Sequence, residues 1–142
     1  MTEGDYLDLA FMASAKSPDP HTRHGCVLVG SSGRVLSQAC NSSLRGLDPD
    51  VASWNRPEKY LWVLHAEENA IIKAERSLKG ATAYVTGKPC LSCLKNLVQA
   101  GIATIVYGPI EGHTTLSEAE LEVYGKITGA MKIAVRRASS GL

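Results

Sequence analysis

The stretch from His65 to Cys93 decides how this chain is read: it opens on His65-Ala66-Glu67 and closes on Pro89-Cys90-Leu91-Ser92-Cys93. One imidazole and two thiols can hold Zn²⁺ in a tetrahedron and leave its fourth position open, the mark of a catalytic rather than a structural site. Glu67, two residues past the imidazole, is placed to handle protons at that open position. Ala66, Ala70, Ile71 and Ala74 form an apolar stripe at helical period, so a helix is expected from Ala66 to about Leu78, closed by Gly80. Ala81 to Thr86 reads as a short strand, Pro89 as a break and Cys90 to Gln99 as a second helix. With the strand in a sheet and both helices packed on it, the two helix starts meet at the carboxyl ends of the strands, where open α/β sheets place their ligands. Cys90 and Cys93, three residues apart, face the same way in the first turn. The positive end of the helix dipole there favours thiolate over thiol.

Outward from this segment, Asp5 to Lys16 is expected to be a helix with Leu9, Met12 and Ala13 on one side, ended by Ser17-Pro18-Asp19-Pro20. Cys26 to Gly30 and Arg34 to Cys40 read as a hairpin about the turn Ser31-Ser32-Gly33. Asn41 to Lys59 is a polar connection, long enough to point to function rather than simple linkage. Beyond Cys93 come a strand (Ala103 to Tyr107), a loop (Gly108 to Thr115), a helix (Leu116 to Tyr124), a last strand (Met131 to Val135) and a polar tail from Arg136. The order αββαβαβαβ implies one α/β domain over residues 1–142, a five-stranded mixed sheet with helices on both faces.

Composition narrows the function classes. The chain has 142 residues, 44% hydrophobic and 20% charged, which are ordinary globular values. A formal net charge of +1 gives no electrostatic reason to expect a long nucleic-acid partner. No apolar run reaches membrane-spanning length and no leader pattern opens the chain, so no membrane is expected. Four cysteines are too few for a disulfide scaffold. Cys26 and Cys40, each in a strand-like run, read as buried free thiols of a cytoplasmic protein.

Each chemical reading has a plainer rival. A lone C-x-x-C could be a redox pair, but His65 and Glu67 turn it toward metal. A structural zinc site would need a fourth protein ligand, for which His21, His24 and His113 are available; His21 and His24 read better as surface and strand-start residues. Trp54 and Trp62 read as packing residues, and Glu68 as an exposed helix-start carboxylate.

His65-Ala66-Glu67-Glu68-Asn69-Ala70-Ile71 and Pro89-Cys90-Leu91-Ser92-Cys93 resemble the two signatures of the cytidine and deoxycytidylate deaminase superfamily. Ser17-Pro18-Asp19-Pro20-His21-Thr22-Arg23-His24-Gly25, the Ala39 to Gly46 segment and Arg76 are similar to stretches of its deoxycytidylate deaminases of phage and bacterial type. The second of these departs from the usual Gly-Tyr-Asn-Gly, keeping only Asn41. The resemblance implies a cytidine-deaminase-like three-layer α/β/α sandwich. It also implies zinc-dependent hydrolysis of dCMP to dUMP and ammonia, feeding thymidylate synthesis. In that scheme His65, Cys90 and Cys93 hold zinc, a zinc-activated water attacks C4 of the base, and Glu67 shuttles protons. By the same resemblance Asn41 and Asn69 contact the base or sugar, and His113 stacks on the base. Arg23, Arg45 and Arg76 are the candidates for the 5′-phosphate, with Arg45 favoured. It further implies a homo-oligomer, a hexamer by preference, with dCTP as activator and dTTP with Mg²⁺ as inhibitor near Lys73 and Arg76. Its setting is the cytoplasm, that of the host if phage-encoded. Two other readings stand beside it: a deaminase of the same fold acting on cytidine, a cytosine-containing antibiotic or a tRNA adenosine, and a non-enzymatic zinc-stabilised interaction module.

Overall fold

The structure, a computed structural model, describes residues 1–110 and 116–139. Its elements are α1 (Glu3–Ser14), β1 (Gly25–Val29), β2 (Val35–Cys40), α2 (Lys59–Trp62), α3 (Ala66–Lys73), β3 (Thr82–Gly87), α4 (Leu91–Ala100), β4 (Thr104–Ile110), α5 (Glu118–Met131) and β5 (Ala134–Arg137). The sheet has five strands in the order β2-β1-β3-β4-β5. β1 pairs antiparallel with β2 and β3, while β3, β4 and β5 run parallel, so the sheet is mixed as expected.

Strand alternation sorts the side chains onto two faces. Cys26 and Leu28 of β1, Ala83 and Val85 of β3 and Ile105 of β4 share a core with Ala66 and Ala70 of α3, Leu94 and Leu97 of α4, and Tyr124 of α5. Val27, Val29 and Tyr84 point the other way, onto Tyr6, Leu7 and Ala10 of α1. Three helices cover one face and one covers the other, which is the three-layer sandwich. Leu94 and Leu97 are completely buried, and each such side chain stabilises the fold by about 1.5–3 kcal/mol. Among the described residues no helix is long and apolar enough to cross a membrane.

Several boundaries differ from the sequence reading, each for a local reason. α1 begins at Glu3 because Thr2 and Asp5 form a reciprocal capping box. Its buried side is Tyr6, Leu7, Ala10 and Ala13, whereas Met12 is 66% exposed. α3 stops at Lys73 rather than near Leu78: Ala74 is extended, and the Ser77 hydroxyl accepts the Lys79 N–H in a local turn. Leu78, expected at the helix end, is buried all the same, from the irregular chain that follows α3. Gly80, at φ +77°, serves a turn and not the helix end. α5 runs through Tyr124 to Met131, started by a Ser117–Glu120 capping box, which moves the last strand to Ala134–Arg137. Arg136 therefore belongs to a strand and pairs with Glu3 instead of fraying. In the long connection, Lys59–Trp62 makes one helical turn, and Ser42 and Leu64 exchange backbone hydrogen bonds just before His65.

Candidate active site

His65 and Cys90 occupy equivalent places, each the extended residue that precedes a helix, α3 and α4 respectively. Cys93 sits in the first turn of α4, completely buried. The His65 Nδ1 atom lies 3.1 Å from Cys93 Sγ and 3.6 Å from Cys90 Sγ. All three donor atoms fall within 4.8 Å of one another. Tetrahedral zinc with ordinary Zn–S and Zn–N bonds sets donors roughly 3.5–3.8 Å apart; the Cys90 distance matches, and Cys93 needs to withdraw by only a few tenths of an ångström for the triad to hold that ion. Among the described residues the cluster contains three protein ligands. Three ligands, two of them sulfur, match a catalytic site with one position left for a small molecule.

The neighbours hold these ligands in place. The Glu68 carboxylate accepts the His65 backbone N–H at 2.9 Å, so a residue read as exposed decoration orients the imidazole-bearing residue. Its position three residues into the helix was a usable signal, since that is where capping carboxylates stand. The Tyr124 hydroxyl, from α5, donates to the Pro89 carbonyl at 3.1 Å and fixes the chain leading into Cys90. Gly101, at φ +102°, closes α4 in the left-handed conformation that glycine adopts without penalty.

The electrostatics of the cluster suit a cation. The Cys90 thiol is brought down to about 4, first by its hydrogen bond with Cys93 and then by His65, against the effect of burial. The same sulfur–sulfur bond, with burial and the Glu67 charge, drives Cys93 far up. The hydrogen bond to Cys90 raises His65. Two sulfurs therefore share one negative charge, and a divalent ion would draw the second proton off. Glu67 is almost fully buried, and burial raises its carboxyl to about 7 even though His65 pulls the other way. A carboxyl poised there can both take and give a proton near neutrality.

The remaining expected site residues divide. Asn41 is completely buried and its amide is engaged throughout: Oδ1 accepts the His24 N–H, and Nδ2 donates to Thr22 O and Asp19 Oδ2. These bonds are internal to the chain and hold the 17–24 loop. Asn69 donates to Cys40 O at 2.9 Å and Ser42 Oγ at 3.0 Å, tying α3 to the end of β2. It faces a cleft of about 860 Å³ with Ser42, Arg45, Leu64, Ile72 and Lys73. His65 and Glu67 do not line that cleft. Arg23 stands on the 17–24 loop, with Nε on the Asp19 carbonyl at 3.4 Å. Arg76 shares a smaller cleft of about 320 Å³ with Arg34 and Lys73. Lys73 Nζ also donates to Gln38 O at 2.9 Å. His113 lies outside the described residues. Sequence reasoning missed Asp19 and Lys59, which form a wholly buried ion pair, and Arg56, whose guanidinium meets Thr22 Oγ1 at 3.1 Å.

Residues 2–109 match the model of the family described as "Cytidine and deoxycytidylate deaminase zinc-binding region". A probable deoxycytidylate deaminase of Caenorhabditis elegans is 38% identical over 107 residues, 72% of this chain and 54% of that protein. The deoxycytidylate deaminase of Homo sapiens is 33% identical over 109 residues, 72% of this chain and 61% of that protein. The match thus spans little more than half the length of these relatives. Among solved structures, the dCMP deaminase of cyanophage S-TIM5 in complex with dCMP and dUMP shares the fold with a TM-score of 0.73, at 24% identity over 96% of both chains.

Proposed function

Because the chain belongs to the cytidine and deoxycytidylate deaminase family, we propose that it hydrolyses the amino group of dCMP to give dUMP and ammonia. One observation carries the reading: a buried carboxyl raised to about 7 stands two residues from one of three convergent metal donors. His65, Cys90 and Cys93 would hold zinc, which when bound supplies Lewis-acid activation of a water. Glu67 takes a proton from the attacking water, passes it to N3 of the base, and delivers a proton to the departing amine. Burial places its carboxyl at about 7, where it exchanges a proton in either direction near neutrality, and Glu68 and Tyr124 hold the two ligand-bearing segments. Similarity to proteins named deoxycytidylate deaminase supports the nucleotide as substrate.

The substrate contacts are those the family resemblance implies: Asn69 and the arginines Arg23 and Arg45 are the polar groups offered to the nucleotide, and His113 is the stacking residue. Regulation by dCTP, and by dTTP with Mg²⁺, is part of this reading. Its support is the cleft lined by Arg34, Lys73 and Arg76, three cations against the one carboxylate of Glu75, a net positive setting for a triphosphate. A homo-oligomer, hexameric by preference, accords with the exposure of Leu61 (87%) and Ile72 (69%).

Ammonia release measured on dCMP, CMP, cytidine and adenosine tests the proposal. Turnover is expected with dCMP ahead of the others. Preference for cytidine or adenosine would move the enzyme to another substrate of the same chemistry, and no turnover on any would refute it.

A further inference from the structure

The Asp19–Lys59 pair has no part in the chemistry above, and both side chains are completely sealed from water. Lys59 Nζ donates to Asp19 Oδ2 at 2.8 Å. The other carboxylate oxygen takes the backbone N–H groups of His21 at 2.8 Å and Thr22 at 3.2 Å. Asn41 adds its own bonds to Asp19, Thr22 and His24. The 17–24 loop is therefore folded around one buried carboxylate, and the ammonium that neutralises it comes from a segment forty residues away. That segment leads through α2 and Leu64 directly to His65.

The outer side of this loop carries a second feature. Arg56 Nη2 donates to Thr22 Oγ1 at 3.1 Å, and the neighbouring Arg23 is held by Nε on Asp19 O at 3.4 Å. One guanidinium thus meets the Thr22 hydroxyl, and a second is anchored to the same loop through Asp19 O. The loop also abuts the site, since His24 Nδ1 meets Thr86 Oγ1 at 3.1 Å, just ahead of Pro89 and Cys90. A sealed ion pair is weak evidence for stability, because removing two charges from water costs about what their attraction returns. Its use is to fix a shape.

We propose that Lys59 is a positioning residue for phosphate recognition: by clamping Asp19 it holds the 17–24 loop so that Arg23 and Arg56, beside Thr22, receive the 5′-phosphate of the nucleotide. This rests on the nucleotide-deaminase reading above. Planar guanidinium forks suit a phosphate, and their reach depends on the loop keeping its curvature.

dCMP and deoxycytidine differ only by the phosphate, so the ratio of their kcat/KM values isolates its recognition. Lys59→Met should lower kcat/KM on dCMP by ~10–100-fold through KM, with deoxycytidine turnover within about twofold and zinc content unchanged. Arg56→Ala should shift the same ratio by ~10-fold or more, and Arg137→Ala, at an exposed position of β5, should not. Where Lys59→Met does not accumulate as folded protein, Asp19→Asn with Lys59→Met removes both buried charges and should give the same shift. Equal losses on the two substrates, or a fall in kcat at constant KM, would reduce the pair to a structural role and overturn the proposal. A shift in Arg45→Ala in place of Arg56→Ala would move the phosphate to the cleft beside Asn69 and overturn it equally. Wild-type enzyme inactive on both substrates would remove the deaminase reading and this inference with it.

Discussion

At the helix tips, His65, Cys90 and Cys93 bring together donors whose charges a cation would balance, with two of the three residues only partly buried. In the loop clamp, Asp19 and Lys59 balance each other and are closed to water. Both centres lie at the same end of the sheet, where β3 and β4 finish and β1 begins. The difference teaches a division of labour. The first centre is built so that an exogenous group can join it, and the second is complete so that nothing can. Reactivity is kept where charge is unsatisfied, and shape is kept where it is satisfied.

The largest test of that contrast is at the reactive centre. Glu67→Gln keeps the volume of the side chain and removes its proton exchange, so kcat should fall by ~10²–10⁴-fold while zinc, measured by atomic absorption, stays bound. Activity near wild type would sink the assignment of Glu67. Stability of the zinc-loaded protein should barely change there, whereas at the clamp the reverse holds. Lys59→Met leaves Asp19 as a lone buried carboxylate and should cost about 3–5 kcal/mol in urea unfolding. The double change with Asp19→Asn should recover much of that loss. Additive losses would show that the two charges do not act as a pair.

The pH dependence of stability should slope in opposite directions at the two centres. Glu67 in the folded, metal-free chain titrates at about 7 against an ordinary 4.5. Its contribution is therefore present below the ordinary value and lost as pH rises toward neutrality, by up to roughly 3 kcal/mol. Burial raises the Asp19 carboxyl, but Lys59 and the N–H groups of His21 and Thr22 outweigh it and hold it below its usual range. Its contribution is present above the unfolded value and lost as pH falls through the folded one. Unfolding curves of chelator-treated wild type, Glu67→Gln and Asp19→Asn across pH separate the two slopes. Parallel slopes would erase the distinction. The smallest effect is expected between the centres: Tyr124→Phe removes the bond to Pro89 and should cost about 1 kcal/mol, detected as a small drop in unfolding midpoint.

The two centres are also unequally legible in the sequence. His65, Glu67, Cys90 and Cys93 announce themselves because helix starts are local events, and three ligands plus one carboxylate at short spacing have few other uses. The hairpin and the strands follow from short runs of β-formers set off by turn residues, and the larger boundary errors fall at helix ends, where Ser77 turns the chain after α3 and α5 runs on past Tyr124 to Met131. The clamp leaves no such trace. Lysine is almost never fully buried without a partner, and a pairing between positions 19 and 59 has no period to reveal it. Asn41 stands out by its family motif, yet its amide turns inward because a loop built around a buried carboxylate needs donors. Arg56 reads like any solvated arginine until Thr22 is placed beside it.

Gly87 sets a limit on how such a protein can diversify. A methyl group at its α-carbon would sit 2.2 Å from the Ile110 carbonyl oxygen and 3.1 Å from the His24 ring, at the point where β4 carries an extra residue relative to β3. Two strands and an imidazole crowd against a position that tolerates no side chain, so this end of the β3–β4 pair is in effect frozen. Descendants of this sequence can change their surface by redrawing the surrounding loops, leaving the ground on which those loops stand untouched.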